Sequence, residues 1–271
     1  MVARGIRFVK VDGCEGAEQF RKIQLRRNTM TSECEIKKQI CDIGKRMYER
    51  NMVAANDGNI SVKISEDEIL CTPTGVSKGF MTPDDICKVD TKGSVIQANP
   101  GCRPSSEMKM HLRVYEERPD VRAVVHAHPV YATTFAVAGV PLSKPIMPET
   151  VINFGCVPVA KYGRPSTMDI PDAISEFVRY FDALLLEKHG ALTYSDSLSA
   201  AYMKMESVEF YAQLLYQTKL LGVAKELTHQ QVEELYEIRR HTGTKGRHPA
   251  DLHQSAGTCG FHCPNCSQNC E

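Results

Sequence analysis

Apolar and polar positions along the chain alternate in two rhythms. Ile36, Ile40, Ile43 and Met47 recur at helical spacing behind Ser32-Glu33-Cys34-Glu35, a capping-box pattern, which predicts a first helix over about 33–50. Asn56-Asp57-Gly58-Asn59 is a turn-forming cluster that enters the alternating run Ile60-Ser61-Val62-Lys63-Ile64. Glu68-Ile69-Leu70-Cys71 then runs into Thr72-Pro73-Thr74-Gly75, so both segments read as strands that meet a turn. Pro104-Ser105-Ser106-Glu107 opens a helical pattern through about Glu117, with Met108, Leu112 and Tyr115 on one stripe and Pro119 beyond its end.

Val124-Val125-His126-Ala127-His128-Pro129 is an apolar strand pattern ending in two histidines. Beyond it the pattern predicts a helix from Tyr131 to Val140 closed near Gly139, a strand over 151–160, and a helix from Ile170 to Phe181. One or two strands over 183–194 surround His189. Ser195-Asp196-Ser197 caps a long helix to about Leu221, stopped by Gly222, whose Leu198, Met205, Val208 and Leu215 belong to the core. A last helix over about 229–240 follows Thr228. Residues 1–30 carry many charges and one β-like run, Ile6 to Val11, and residues from 244 onward are irregular and rich in cysteine. The chain is therefore expected to divide into an N-terminal extension (1–30), one main domain (31–243) and a C-terminal tail (244–271).

Composition narrows the partners. At 271 residues with 42% hydrophobic content, one sizeable core suffices. Lys plus Arg equals Asp plus Glu at 33 each, so no bulk field draws nucleic acid or an acidic membrane surface, and neither is expected as a partner. The first residues lack the apolar core of a secretory signal, and no stretch reaches the roughly 20 apolar residues that span a bilayer. Seven of the eleven cysteines are scattered through predicted elements, as free thiols in a reducing compartment would be, and a cytoplasmic location is expected.

On a strand, residues i and i+2 project from one face, so His126 and His128 can reach a common point. Zinc takes three or four protein ligands. His189, ending the apolar run Ala183–Leu186, and Glu107, at the start of its helical pattern, are the further candidates, although a lone histidine at a strand end is more often an ordinary partly buried residue and Glu107 equally suits a first-turn glutamate behind an N-cap. Backbone N–H groups and hydroxyls at the two turns and at the Ser105-Ser106 helix start can cradle an anion, with Lys78 as a source of charge; singly, each is also just a turn or a cap. In the tail, Cys259, His262, Cys263, Cys266 and Cys270 offer a second metal or iron–sulfur site, or simply a thiol-rich end.

Five words in this order, Gly58-Asn59-Ile60-Ser61-Val62, Thr72-Pro73-Thr74-Gly75, Pro104-Ser105-Ser106-Glu107, His126-Ala127-His128 and Lys188-His189-Gly190, resemble the class II aldolase/adducin family over about residues 33–222. The resemblance implies an α/β fold, a three-layer α/β/α arrangement with a mostly antiparallel central sheet, assembled as a homotetramer with active sites at subunit boundaries. It implies zinc, or another divalent metal, on His126, His128 and His189. Glu107 would be a ligand in the empty site and a proton carrier once substrate displaces it. A substrate phosphate would be held by Gly58, Asn59, Thr74, Gly75, Ser105 and Ser106. The implied reaction cleaves a phosphorylated sugar, a ketose 1-phosphate of the L-fuculose type, to dihydroxyacetone phosphate and an aldehyde, with a cation stabilising the enediolate.

One departure concerns the family's tyrosine on the aldehyde side, whose place falls at Met147; Tyr131 and Tyr162 lie near the motifs in sequence. Two rival activities of the same fold are a pentulose-phosphate 4-epimerase, which typically carries Asp at the place of Glu107, and a methylthioribulose-1-phosphate dehydratase. A non-catalytic adducin-like binding domain is a third reading, against which the three histidines and Glu107 speak.

Overall fold

The computed structural model describes residues 32–251. Ser32 caps helix α1 (Glu33–Glu49) by accepting the Glu35 N–H at 3.2 Å, and Ile40, Ile43 and Met47 are its buried stripe. Strands β1 (Asn59–Lys63) and β2 (Glu68–Cys71) follow as the alternation predicts. Helix α2 (Met108–Glu117) leads to β5 (Ala123–Ala127), α3 (Val130–Ala138) and the short α4 (Pro148–Asn153). Between β2 and α2 lie β3 (Cys87–Asp90) and β4 (Val95–Gln97), and after α4 come β6 (Val159–Ala160) and α5 (Asp169–Val178). The hairpin of β7 (Ala183–Leu186) and β8 (Gly190–Ser195) precedes the long α6 (Leu198–Leu220) and α7 (His229–Thr242).

The eight strands form one sheet in the order β4-β3-β2-β1-β5-β8-β7-β6, antiparallel throughout except for the parallel β6–β7 pair. Alternation within the strands builds two cores. Ile60, Val62, Val125, Leu185 and Ala191 pack beneath α1, α3 and α6, whereas Val124, Leu184, Leu192 and Tyr194 pack beneath α2 and α5. Because the central strands are covered on both faces, they read as nearly continuous apolar runs. Each fully buried branched side chain in these layers, such as Val125 or Leu184, is worth about 1.5–3 kcal/mol of transfer free energy.

The expected strand over 151–160 is instead α4 followed by the two-residue β6. Pro148 occupies the first helical turn, where its missing N–H costs nothing, and Val151 buries itself against Val232 and Tyr236 of α7. A short apolar run fits either a strand or a buried helix face, and here the α7 contact decides. Strands β3 and β4 were not anticipated; they extend the sheet to an edge where Val95 and Ile96 are exposed.

Residues beyond α7 dock onto the domain: Arg239 donates to the carbonyls of Ile152 and Gly246, and His248 donates from Nε2 to Val151 O at 2.7 Å. The β-like run Ile6–Val11 and the cluster Cys259–Cys270 lie outside the described residues. Among the described residues no helix is long and apolar enough to cross a membrane.

Candidate active site

The site grows from the pairing of β1 with β5, in which Asn59 stands directly opposite His126 on the face covered by α2. His126 is fully buried, and its Nδ1 donates to Ala191 O at 2.9 Å. His128 lies one residue beyond β5, and its Nδ1 faces Asp57 Oδ2 at 3.2 Å, where a carboxylate can only accept. Both rings thus direct Nε2 inward, and these two nitrogens are 3.1 Å apart. Burial pushes the pKa of His126 well down and also lowers that of His128, so both rings favour the neutral form, with facing lone pairs.

His189 arrives from the turn between β7 and β8, where its N–H donates to Leu186 O at 2.9 Å. Lys188 before it takes the left-handed φ of 59° and is fastened to α3 through Ala136 O and Val137 O. Gly190 after it must be glycine: a Cβ there would lie 2.5 Å from Ala127 O and 2.6 Å from His128 Cδ2. The three ring centroids are consequently 4.7–4.9 Å apart.

Glu107 is the N-cap residue of α2, not a first-turn residue. The segment before it is held away from the helix path because Ser105 N–H donates to Thr72 O and Thr74 N–H to Arg103 O, tying it to the end of β2. Asn59 Nδ2 donates to Glu107 Oε2 at 2.7 Å, and Oε1 lies 3.2 Å from His189 Nε2. Burial raises the Glu107 pKa, but the imidazoles of His126 and His189 and the Asn59 amide outweigh it and hold the carboxyl below the usual range. The side chain is an ionised carboxylate at neutral pH.

These groups fit a divalent cation. One nitrogen from each of His126, His128 and His189 lies within 4.8 Å of the other two, and the buried Glu107 Oε1 lacks a hydrogen-bond partner. Facing lone pairs and an unsatisfied carboxylate oxygen in a buried pocket are unfavourable alone and favourable around positive charge.

Gly58, Asn59, Thr74, Gly75, Ser105 and Ser106 line a single cleft of about 220 Å³ together with Glu107, His128 and His189. Gly58 has φ +74°, and a Cβ there would meet Val53 Cγ1 at 2.6 Å and His126 O at 2.9 Å, so the β1 turn closes against the histidine strand only with glycine. Lys78 also lines the cleft although only 1% exposed; its Nζ donates to Asn56 O at 2.8 Å and Val76 O at 2.7 Å, leaving one of three donors over. Burial pushes its pKa down to about 8, while Asp57 and Glu107 act in the opposite sense.

Met147 belongs to another surface depression, with Arg50 and Glu149, while Tyr131 packs against Tyr216 and Tyr162 is exposed; none of the three lines the cleft. Four contributors escaped the pattern of the sequence. Asp57 is the partner of His128; Pro165 and Ser166 close the cleft's rim; and Glu209 of α6 accepts the Tyr131 and Ala132 N–H groups, anchoring the helix that follows the histidine pair. Only Asp57, next to a cleft glycine, carried a local signal.

The family model described as Class II Aldolase and Adducin N-terminal domain matches residues 38–216. The chain belongs to the class II aldolase/adducin family. It is a lyase. An L-fuculose phosphate aldolase of Methanococcus maripaludis is 33% identical over 174 residues, covering 64% of this chain and 92% of that protein. A 3-oxo-tetronate 4-phosphate decarboxylase of Cupriavidus necator is 30% identical over 189 residues, covering 68% and 85% respectively. Among solved structures, an L-fuculose 1-phosphate aldolase superposes with a TM-score of 0.71 at 29% identity, covering 78% of this chain and 98% of its own. Class II aldolases are metal-dependent, and the His126, His128, His189 group could hold the ion.

Proposed function

We propose that the protein is a zinc-dependent aldolase that cleaves a ketose 1-phosphate of the L-fuculose type to dihydroxyacetone phosphate and an aldehyde. The observation that carries this reading is the joining of two chemistries in one cleft: a three-imidazole group with an ionised carboxylate, and a turn-rich wall with a buried ammonium. His126, His128 and His189 would hold the ion, with Glu107 beside it. When bound, a divalent cation supplies Lewis-acid polarisation of the substrate carbonyl and an electron sink for the broken carbon–carbon bond.

The remaining work falls to the chain. Backbone N–H groups and hydroxyls at Gly58, Asn59, Thr74, Gly75, Ser105 and Ser106 bind the phosphate and fix the position of C3. Glu107, held by Asn59, moves the proton at C3. Glutamate at this position, where an epimerase typically has Asp, supports aldol cleavage. We further propose a cytoplasmic homotetramer with sites at subunit boundaries, a reading supported by the family and by the exposed apolar side chains Val130, Val137, Phe210 and Leu221. The catalytic domain spans 31–243, flanked by the extension and the cysteine-rich tail.

The test is metal analysis of the purified protein followed by a panel of ketose 1-phosphates, scored for dihydroxyacetone phosphate. Bound zinc and cleavage lost on chelation are expected. Undiminished cleavage in metal-free protein, or a dehydrated, epimerised or decarboxylated product, would overturn the assignment.

A further inference from the structure

The three imidazoles are anchored in three different ways. His126 is locked inside the β5–β8 ladder by its bond to Ala191 O, and His189 Nδ1 is buried without a hydrogen-bond partner. His128 has left the ladder: its backbone N–H donates to Met52 O, and the polar contact of its ring on the outer side is the Asp57 carboxylate. Asp57 is itself well placed. Its N–H donates to Ala54 O at 2.8 Å, the preceding carbonyl of Asn56 accepts from Lys78 Nζ, and Gly58 after it turns the chain with a left-handed φ.

We infer that Asp57 is a positioning residue for the metal centre: by accepting the Nδ1 proton of His128 it fixes that ring's tautomer and aims Nε2 at the point shared with His126 and His189. The inference rests on the proposed reading that these nitrogens hold a divalent cation. A carboxylate behind a ligating imidazole holds its orientation and raises its basicity, and loss of such a partner typically weakens metal binding about 10–100-fold. At 45% side-chain exposure, Asp57 acts through orientation more than through a strong unscreened charge. His128 needs this support because neither strand pairing nor a backbone carbonyl holds its ring.

The test uses the full-length protein stripped of metal and titrated with Co2+ and Zn2+ against a chelator, the Co2+ absorption spectrum reporting the ligand geometry. Asp57→Ala is expected to weaken both ions about 10–100-fold and to alter the spectrum. Asp57→Asn, which keeps an acceptor oxygen, is expected to stay close to the parent. Parent-like affinity and spectrum in Asp57→Ala would overturn the inference, as would an equal loss in Asp57→Asn, which would mean that charge and not ring orientation is at stake. If the unmodified protein takes up neither ion, the metal-centre reading fails first and the inference falls with it; uptake by the parent with an unaffected Asp57→Ala overturns the inference alone.

Discussion

His111 allows the cleft's foundation to be tested through acid stability. It lies one turn along α2 from Glu107, fully buried, with Nδ1 2.7 Å from Ser61 Oγ, which is in turn 2.8 Å from Tyr115 Oη. Its Nε2 has no hydrogen-bond partner. Burial pushes its pKa from 6.5 down to about 4, with Glu107 opposing. Above 6.5 the ring is neutral in both states; between 6.5 and about 4 only the unfolded chain takes up the proton; below about 4 both do. Stability is therefore lost as the pH falls through this window and levels off beneath it. At 1.36 kcal/mol per pH interval, His111 removes about 2 kcal/mol by about pH 5. The assay is urea unfolding of metal-free protein at about pH 7.5 and about pH 5, comparing the parent with His111→Gln. The other buried histidines titrate in both proteins and cancel, so the parent should lose about 2 kcal/mol more than the variant across the interval. Equal losses would show that His111 is protonated or hydrated in the fold, and the burial reasoning would be wrong.

Three further outcomes follow from the geometry of the site. Glu107→Gln should retain bound metal yet abolish exchange of the C3 proton of dihydroxyacetone phosphate, followed by NMR in deuterated water; unimpaired exchange would strip Glu107 of its role. Gly190→Ala drives a methyl group into Ala127 O and His128 Cδ2, so metal content measured by mass spectrometry should fall sharply, and full occupancy would show that the hairpin yields without moving the ring. Lys78→Met removes a buried charge from the anion wall. The loss of about 1.5–3 kcal/mol should appear as a KM at least about tenfold higher for a phosphorylated substrate, and an unchanged KM would place the phosphate elsewhere.

What could be read from the chain followed the range of the forces involved. The helical stripe of Ile40, Ile43 and Met47, the cap at Ser32 and the pair His126/His128 are governed by neighbours within a few positions, and the structure places them where the spacing predicts. That His189 joins them depends on β5 pairing with β8, a contact across more than sixty residues visible to the eye only through family likeness. Asp57 read as part of a turn because its partner, His128, is distant in sequence. Strands β3 and β4 are short, and the α4 segment carries apolar residues that either backbone form can bury; its choice was made by Val232 and Tyr236 far downstream.

The pairing of Asn59 with His126 has a consequence for the order of events in biosynthesis. The proposed metal site draws on Glu107, which Asn59 holds, and on His126, His128 and His189, the last of which is seated only when β8 closes against β5. A growing polypeptide cannot grip an ion at all three imidazoles until residues past 195 have emerged and folded back. On the proposed metal-dependent reading, metal capture is thus a late step that reports completion of the sheet's central strands.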